Sequence, residues 1–135
     1  MARQIDLIGA ATNFGQPKPG VVLGPDALRI AGIVQALEAR GHNVNDLGNV
    51  HGKYQTQFVK ENIEVKNRLK NYNEVKDYSE ALAKVTDASV KNGRFPLTIG
   101  GDHSLALGSI KGIAKHYENL GVIWFDAHGD LNTSE

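Results

Sequence analysis

Short apolar runs alternate along this chain with longer segments of helical periodicity. The runs at residues 5–8, 44–47, 96–99 and 122–125 have the length and composition of buried strands. The segments between them repeat apolar residues with the spacing of an amphipathic helix. Because parallel strands need a crossover connection, usually a helix, this alternation is typical of a parallel sheet. The pattern therefore predicts an α/β fold with helices on both faces of the sheet.

Glycine and proline mark the ends of the predicted helices. The first helix is expected to begin at Pro25 and end at Gly41, since these residues suit those positions. Residues 56–91 are predicted to be helical in two pieces, with the second ended by Gly93. Ser104 is expected to cap a last helix. The expected buried face of this last helix consists of Leu107, Ile110, Ala114 and Tyr117.

The composition limits the class of protein. The chain has 135 residues, which predicts one domain over residues 1–135. Its 15 Lys plus Arg balance 15 Asp plus Glu, so no nucleic-acid partner is expected. No apolar stretch approaches the roughly 20 residues of a membrane span, and the first residues lack the apolar core of a secretory signal. The chain contains no cysteine, which excludes thiolate metal sites and favours a cytoplasmic location.

Side chains that can bind a metal follow two of the predicted strands. His103 follows the run at 96–99, and Asp126, His128 and Asp130 follow the run at 122–125. In a strand the period of two would place the last three on one face. Sites in open parallel sheets lie beyond the carboxyl ends of the strands, so His103 would join them. Two carboxylates and two imidazoles suit a divalent transition metal, although each motif alone has an ordinary structural explanation.

These motifs resemble those of a known enzyme superfamily. Residues 100–104 (GGDHS) and 126–130 (DAHGD) resemble the metal motifs of the ureohydrolases. The continuation DLNT at 130–133, together with GPDALR at 24–29, resembles arginases in particular. The resemblance implies an arginase-like three-layer α/β sandwich with a mostly parallel sheet, of which this chain would be the amino-terminal half. It also implies hydrolysis of L-arginine to L-ornithine and urea, with agmatinase or another ureohydrolase as the alternative.

The resemblance further implies a role for each candidate ligand. His103 and Asp130 would bind one Mn²⁺ ion, and His128 would bind a second. Asp126 would bridge both ions. Asn132 would help to hold the α-carboxylate of the substrate. The two ions would together lower the pKa of a shared water and position it for attack.

Part of the arginase pattern has no counterpart in this chain. The family adds a later Asp-x-Asp pair, a histidine and a glutamate. Asp126 and Asp130 together supply two negative charges against the four positive charges of two divalent ions, which prefer about six ligands each. We therefore expect a truncated arginase that binds at most one Mn²⁺, contributes no catalytic residue of its own and is inactive or nearly so alone. The parent is expected to be a homo-oligomer, and an open sheet edge would favour self-association of this chain.

Two other functions stay open on the residues alone. One is a non-enzymatic α/β half-domain with a single weak metal site. The other is a flavodoxin-like module whose glycine-rich loop at 15–24 binds an anion; it is weaker, because no Walker or dinucleotide-binding motif occurs. Asp102 is expected either to orient a histidine or to stabilise the turn, with equal weight. Trp124 is expected to be a core residue beside the site.

Overall fold

A parallel sheet forms the centre of the molecule. The computed structural model describes residues 1–54, 65–66 and 69–129. Within these residues the strands are β1 (Gln4–Ala10), β2 (Asn43–Asn49), β3 (Val65–Lys66), β4 (Leu69–Lys70) and β5 (Phe95–Gly100). The main sheet has the order β2-β1-β5 with both pairings parallel, and β3 and β4 form a separate antiparallel pair. The predicted strands at 5–8, 44–47 and 96–99 are therefore confirmed.

Within the described residues, four α-helices lie between these strands or after the last of them. They are α1 (Gly24–Ile30), α2 (Ile33–Glu38), α3 (Tyr72–Lys91) and α4 (Leu105–Ala114). The connection from β1 to β2 through α1 and α2 runs one way along the sheet, and the connection from β2 to β5 through α3 runs the other way. Because such crossovers are right-handed, the two sets of helices lie on opposite faces. The predicted α/β architecture is confirmed.

The core lies where α3 crosses the central strand. Ile8 and Ala10 of β1 are fully buried, and they cluster with Phe14, Tyr78 and Leu82. The rings of Phe14 and Tyr78 meet edge to face with centroids 6.3 Å apart. This cluster fixes α3 against the sheet and, with it, the loop at 11–16 that follows β1. No helix in the described ranges is long and apolar enough to cross a membrane.

Two predicted helices are interrupted by residues with left-handed backbone conformations. The single helix expected from Pro25 to Gly41 is split at Gly32, whose φ is 88°. The prediction of a helix over 56–91 is wrong for its first piece, because Leu69 lies in β4 and Asn71 has a φ of 53° just before α3. Asparagine tolerates this left-handed conformation better than most residues. A residue in that conformation cannot continue a right-handed helix. Residues 56–64 and 67–68 of that predicted segment lie outside the described residues.

The helix α4 packs through glycines and not through its predicted apolar face. Leu107 is 61% exposed and Tyr117 is 54% exposed, whereas Gly108 and Gly112 are buried. A Cβ atom on Gly112 would lie 2.5 Å from the carbonyl oxygen of Ala83, which belongs to α3. The two helices therefore approach more closely than side chains would allow. The helical period identified α4, but the small residues decide which side is buried.

The strand predicted at 122–125 does not form within the described residues. Residues 120–126 have no regular secondary structure, and Ile123 and Phe125 are 83% and 95% exposed. An inner parallel strand is stabilised by neighbours at its sides and by helices on both faces. Because these side chains are exposed, neither strands nor helices of the described part of the chain bury this segment. The prediction of a fourth sheet strand is wrong for this structure.

Candidate metal centre

The turn after β5 carries His103 to the carboxyl end of the sheet. Gly101 has a φ of 37°, and a Cβ atom there would lie 2.2 Å from the carbonyl oxygen of Ala10. Only glycine allows the turn to pass this close to the end of β1. The imidazole of His103 is left 64% exposed beside the segment that follows α4. A local glycine turn thus presents the first candidate ligand.

Asp102 stabilises this turn and joins it to the loop after β1. Its Oδ1 accepts a hydrogen bond from the N–H of Ser104 at 2.7 Å, and its Oδ2 accepts one from the N–H of Gly15 at 3.0 Å. Its own N–H donates to the carbonyl of Thr12 at 3.0 Å. Asp102 is 5% exposed, and both oxygens are used by the backbone. Of the two roles considered for it, the structure supports the structural one, and Ser104 occupies the N-cap position without a side-chain cap bond.

Asp126 lies between two histidines. Its Oδ2 is 2.9 Å from Nε2 of His103, and its Oδ1 is 3.4 Å from Nδ1 of His128. The Asp126 side chain is 9% exposed, whereas the His128 side chain is 85% exposed. The N–H of His128 donates to Oδ1 at 2.8 Å. This bond, with the nearby His103, lowers the pKa of the Asp126 carboxyl below its ordinary value, which keeps it a carboxylate.

The predicted ligands converge by a different route from the one expected. Asp126 and His128 belong to a turn in which the Asp126 side chain binds the backbone two residues on, and not to one face of a strand. His103, Asp126 and His128 nevertheless meet. Asp130 and Asn132 lie outside the described residues.

Trp124 is a contact that the sequence did not predict. It was expected in the core, yet it is 47% exposed. Its ring centroid lies 5.3 Å from that of His103, with an interplanar angle of 46°. Trp124 stands two residues before Asp126 in the chain. That spacing was the sequence signal for a position beside the candidate ligands. No sequence signal predicted the hydrogen bond between Asp102 and Gly15, because 87 residues separate them.

The chemistry of these donors fits a divalent metal ion. Two ligands at about 2.1 Å from one ion and at right angles lie about 3 Å apart. The 2.9 Å between His103 Nε2 and Asp126 Oδ2 matches that spacing. Among the described residues no group of three or more His, Cys, Asp or Glu side chains surrounds one point in the way a metal needs. These two residues therefore fit as partial ligands, and an ion would need others to complete its coordination.

Replacing Asp102 by asparagine is expected to destabilise the fold. The amide NH₂ would face one of two backbone N–H donors, so one buried donor would lose its acceptor. The expected loss in the free energy of unfolding is about 1–3 kcal/mol, measured by urea denaturation. The matched control is Asp77→Asn, since Asp77 accepts a single backbone bond from Lys53 at 2.6 Å that an amide oxygen can replace. Equal unfolding midpoints for wild type and Asp102→Asn would contradict the structural role.

Comparison with known proteins identifies the family. The arginase family model matches residues 3–135. The chain is 49% identical over 131 residues to the arginase of Staphylococcus aureus (strain MRSA252), covering 97% of this chain and 43% of that protein. It is 45% identical over 134 residues to the arginase of Bacillus caldovelox, covering 98% of this chain and 44% of that protein.

Solved structures agree with this fold. The native Bacillus caldovelox arginase at pH 5.6 superposes with a TM-score of 0.85 at 43% identity, covering 98% of this chain and 43% of that one. The Entamoeba histolytica arginase in complex with L-ornithine superposes with a TM-score of 0.80 at 31% identity, covering 99% and 44%. The chain thus spans less than half the length of these relatives. A family match over nearly every residue, with these structural likenesses, shows that the chain belongs to the arginase family.

Proposed function

We propose that this chain supplies part of the binuclear manganese centre of an arginase, which hydrolyses L-arginine to L-ornithine and urea. The observation that carries the proposal is the position of the Asp126 carboxylate, which presents Oδ2 to His103 and Oδ1 to His128. A carboxylate with a different histidine beside each oxygen would allow Asp126 to be shared between two ions, one held by His103 and the other by His128. The Staphylococcus and Bacillus relatives named arginase support the substrate class.

The residues would divide the work as follows. His103 would hold one ion and His128 the other, with Asp126 shared between them. Asp130 would join His103 at the first ion, and Asn132 would bind the α-carboxylate of the substrate; both are proposed on the resemblance of the 130–133 segment. When bound, the ions would lower the pKa of a water molecule to near neutrality. The ionised Asp126 would offset part of their positive charge and hold them near each other.

The 135 residues alone do not complete such a centre. The described residues contain no group of three ligands around one point, and Asp126 and Asp130 would balance only half the charge of two divalent ions. We therefore propose that the isolated chain binds at most one Mn²⁺ and hydrolyses arginine poorly or not at all. The absence of cysteine from the sequence supports a cytoplasmic setting.

A chimera tests the function without requiring activity of the isolated chain. These 135 residues would replace the matching 43% of the Staphylococcus aureus arginase. We expect Mn²⁺-dependent urea release from L-arginine, with loss of that activity when Asp126 is changed to alanine. A folded chimera that binds Mn²⁺ but releases no urea from arginine would contradict the proposal, and a preference for agmatine would favour the agmatinase alternative.

The isolated chain provides the second half of this test. Urea release from arginine should stay at the background of the assay with saturating Mn²⁺. Release at a rate typical of enzymes, about 1–1000 per second, and its loss in Asp126→Ala would show that the chain needs no further ligands.

A further inference from the structure

Trp124 lies against the better placed pair of candidate ligands. Its ring centroid is 5.3 Å from that of His103, with an interplanar angle of 46°. Nε2 of His103 is itself 2.9 Å from Oδ2 of Asp126. The indole therefore touches one member of the pair directly and stands two residues before the other in the chain.

Ordinary core packing does not account for this position. Trp124 is 47% exposed, and its chain neighbours Ile123 and Phe125 are 83% and 95% exposed. The segment is thus not buried as a unit, and the contact with His103 is not the result of a packed strand. Trp124 and His103 together line an open cavity of about 580 Å³, which Ile110 and Lys111 of α4 also line.

We propose that Trp124 is a positioning residue that fixes the ring of His103 in the orientation that binds a divalent metal ion. This inference rests on the proposed metal centre. The His103 side chain is 64% exposed, so its ring orientation depends on the few groups that touch it. Groups that orient metal ligands commonly contribute about 10–100-fold to metal affinity. The indole can orient the imidazole, because its flat face restricts the directions in which the neighbouring ring can lie.

Two substitutions test the ring contact. Trp124→Phe keeps a smaller aromatic ring against His103, whereas Trp124→Ala removes the ring. Mn²⁺ affinity of the 135-residue chain would be measured by calorimetry. We expect affinity to fall about 10–100-fold in Trp124→Ala and by a smaller factor in Trp124→Phe. Ile123→Ala is the matched control, since it shortens an exposed neighbour that is next to no ligand, and it should bind as wild type does.

A spectroscopic readout tests the position directly. Trp124 is the single tryptophan of the chain, so its fluorescence reports on this point alone. Paramagnetic Co²⁺ bound by His103 and Asp126 should quench that fluorescence in saturable fashion, and His103→Ala should remove the quenching. Circular dichroism checks that each variant is folded, and Trp124→Phe keeps the test valid if the alanine variant unfolds.

The outcomes distinguish failure of this inference from failure of the proposed function. If His103→Ala weakens binding while Trp124→Ala and Trp124→Phe bind like wild type, Trp124 has no positioning role and the metal centre stands. If the wild-type chain binds no metal, the positioning role of Trp124 in this chain is overturned, whereas the proposed function is decided by the chimera. If calorimetry detects binding but Co²⁺ leaves the fluorescence unchanged, the ion is bound elsewhere and this inference is overturned.

Discussion

Replacing Asp126 by alanine is expected to lower the affinity of this chain for Mn²⁺ by more than about 100-fold, beyond the loss that follows from removing a group that only orients a ligand. The carboxylate is 2.9 Å from His103 and 3.4 Å from His128, and it is the least exposed of the three side chains. Its removal would leave two imidazoles without the negative charge that offsets the positive charge of a bound ion. Calorimetric titration with Mn²⁺ measures the change.

Asp87 provides a matched control for this substitution. Its Oδ1 is 2.7 Å from Nε2 of His116, so it is also an aspartate paired with a histidine, and Lys91 and Lys115 surround it. These cations and the histidine lower the pKa of Asp87 to about 2. Asp87→Ala should leave Mn²⁺ affinity unchanged. Equal losses in Asp87→Ala and Asp126→Ala would mean that binding follows the general charge of the chain and not the candidate centre.

Replacing Leu82 by alanine should have the largest effect on folding. Leu82 is fully buried on α3 and clusters with Ile8, Ala10, Phe14 and Tyr78. Removing its side chain loses buried apolar surface and leaves a cavity, which costs about 2–5 kcal/mol in the free energy of unfolding. Domains are stabilised by only about 5–15 kcal/mol, so the variant should be partly unfolded at modest urea concentrations. Urea denaturation followed by circular dichroism measures this loss.

Leu107 is the control for the same chemical change. It lies on α4 and is 61% exposed, so Leu107→Ala should shift the free energy of unfolding by less than about 0.5 kcal/mol. A large loss at Leu107 would mean that the exposed side of α4 is covered in solution, by self-association of the kind expected from the sequence. Light scattering on both variants distinguishes that case from simple unfolding.

The strands of the sheet were predictable because their apolar runs are local and bounded by turn residues. The run at 5–8 became β1, whose residues are buried, and the run at 96–99 became β5. The equally apolar run at 122–125 did not form a strand, because strand formation also depends on neighbours that composition does not reveal. The same limit applies to α4, where the helical period was clear but close contact of Gly108 and Gly112 with α3 decided the buried side.

The candidate site could be predicted in its residue types and only partly in its geometry. His103 lies beyond the carboxyl end of β5, as the rule for parallel sheets predicts, but Asp126 approaches it from a segment that is not a strand. The period of two was wrong for Asp126 and His128, since an aspartate two residues before a free N–H can close a turn instead. The contacts of Trp124 with His103 and of Asp102 with Gly15 depend on tertiary packing, which no local pattern encodes. The metal-binding role of these residues stays a prediction.

The number of Mn²⁺ ions bound per chain tests the central claim most directly. In a calorimetric titration of the 135-residue chain at neutral pH, one saturable site is expected per chain, with modest affinity because protein ligands fill only part of the coordination shell. The site should be lost when His103 or Asp126 is changed to alanine. Two tightly bound ions per chain, or one site that survives both substitutions, would contradict the account.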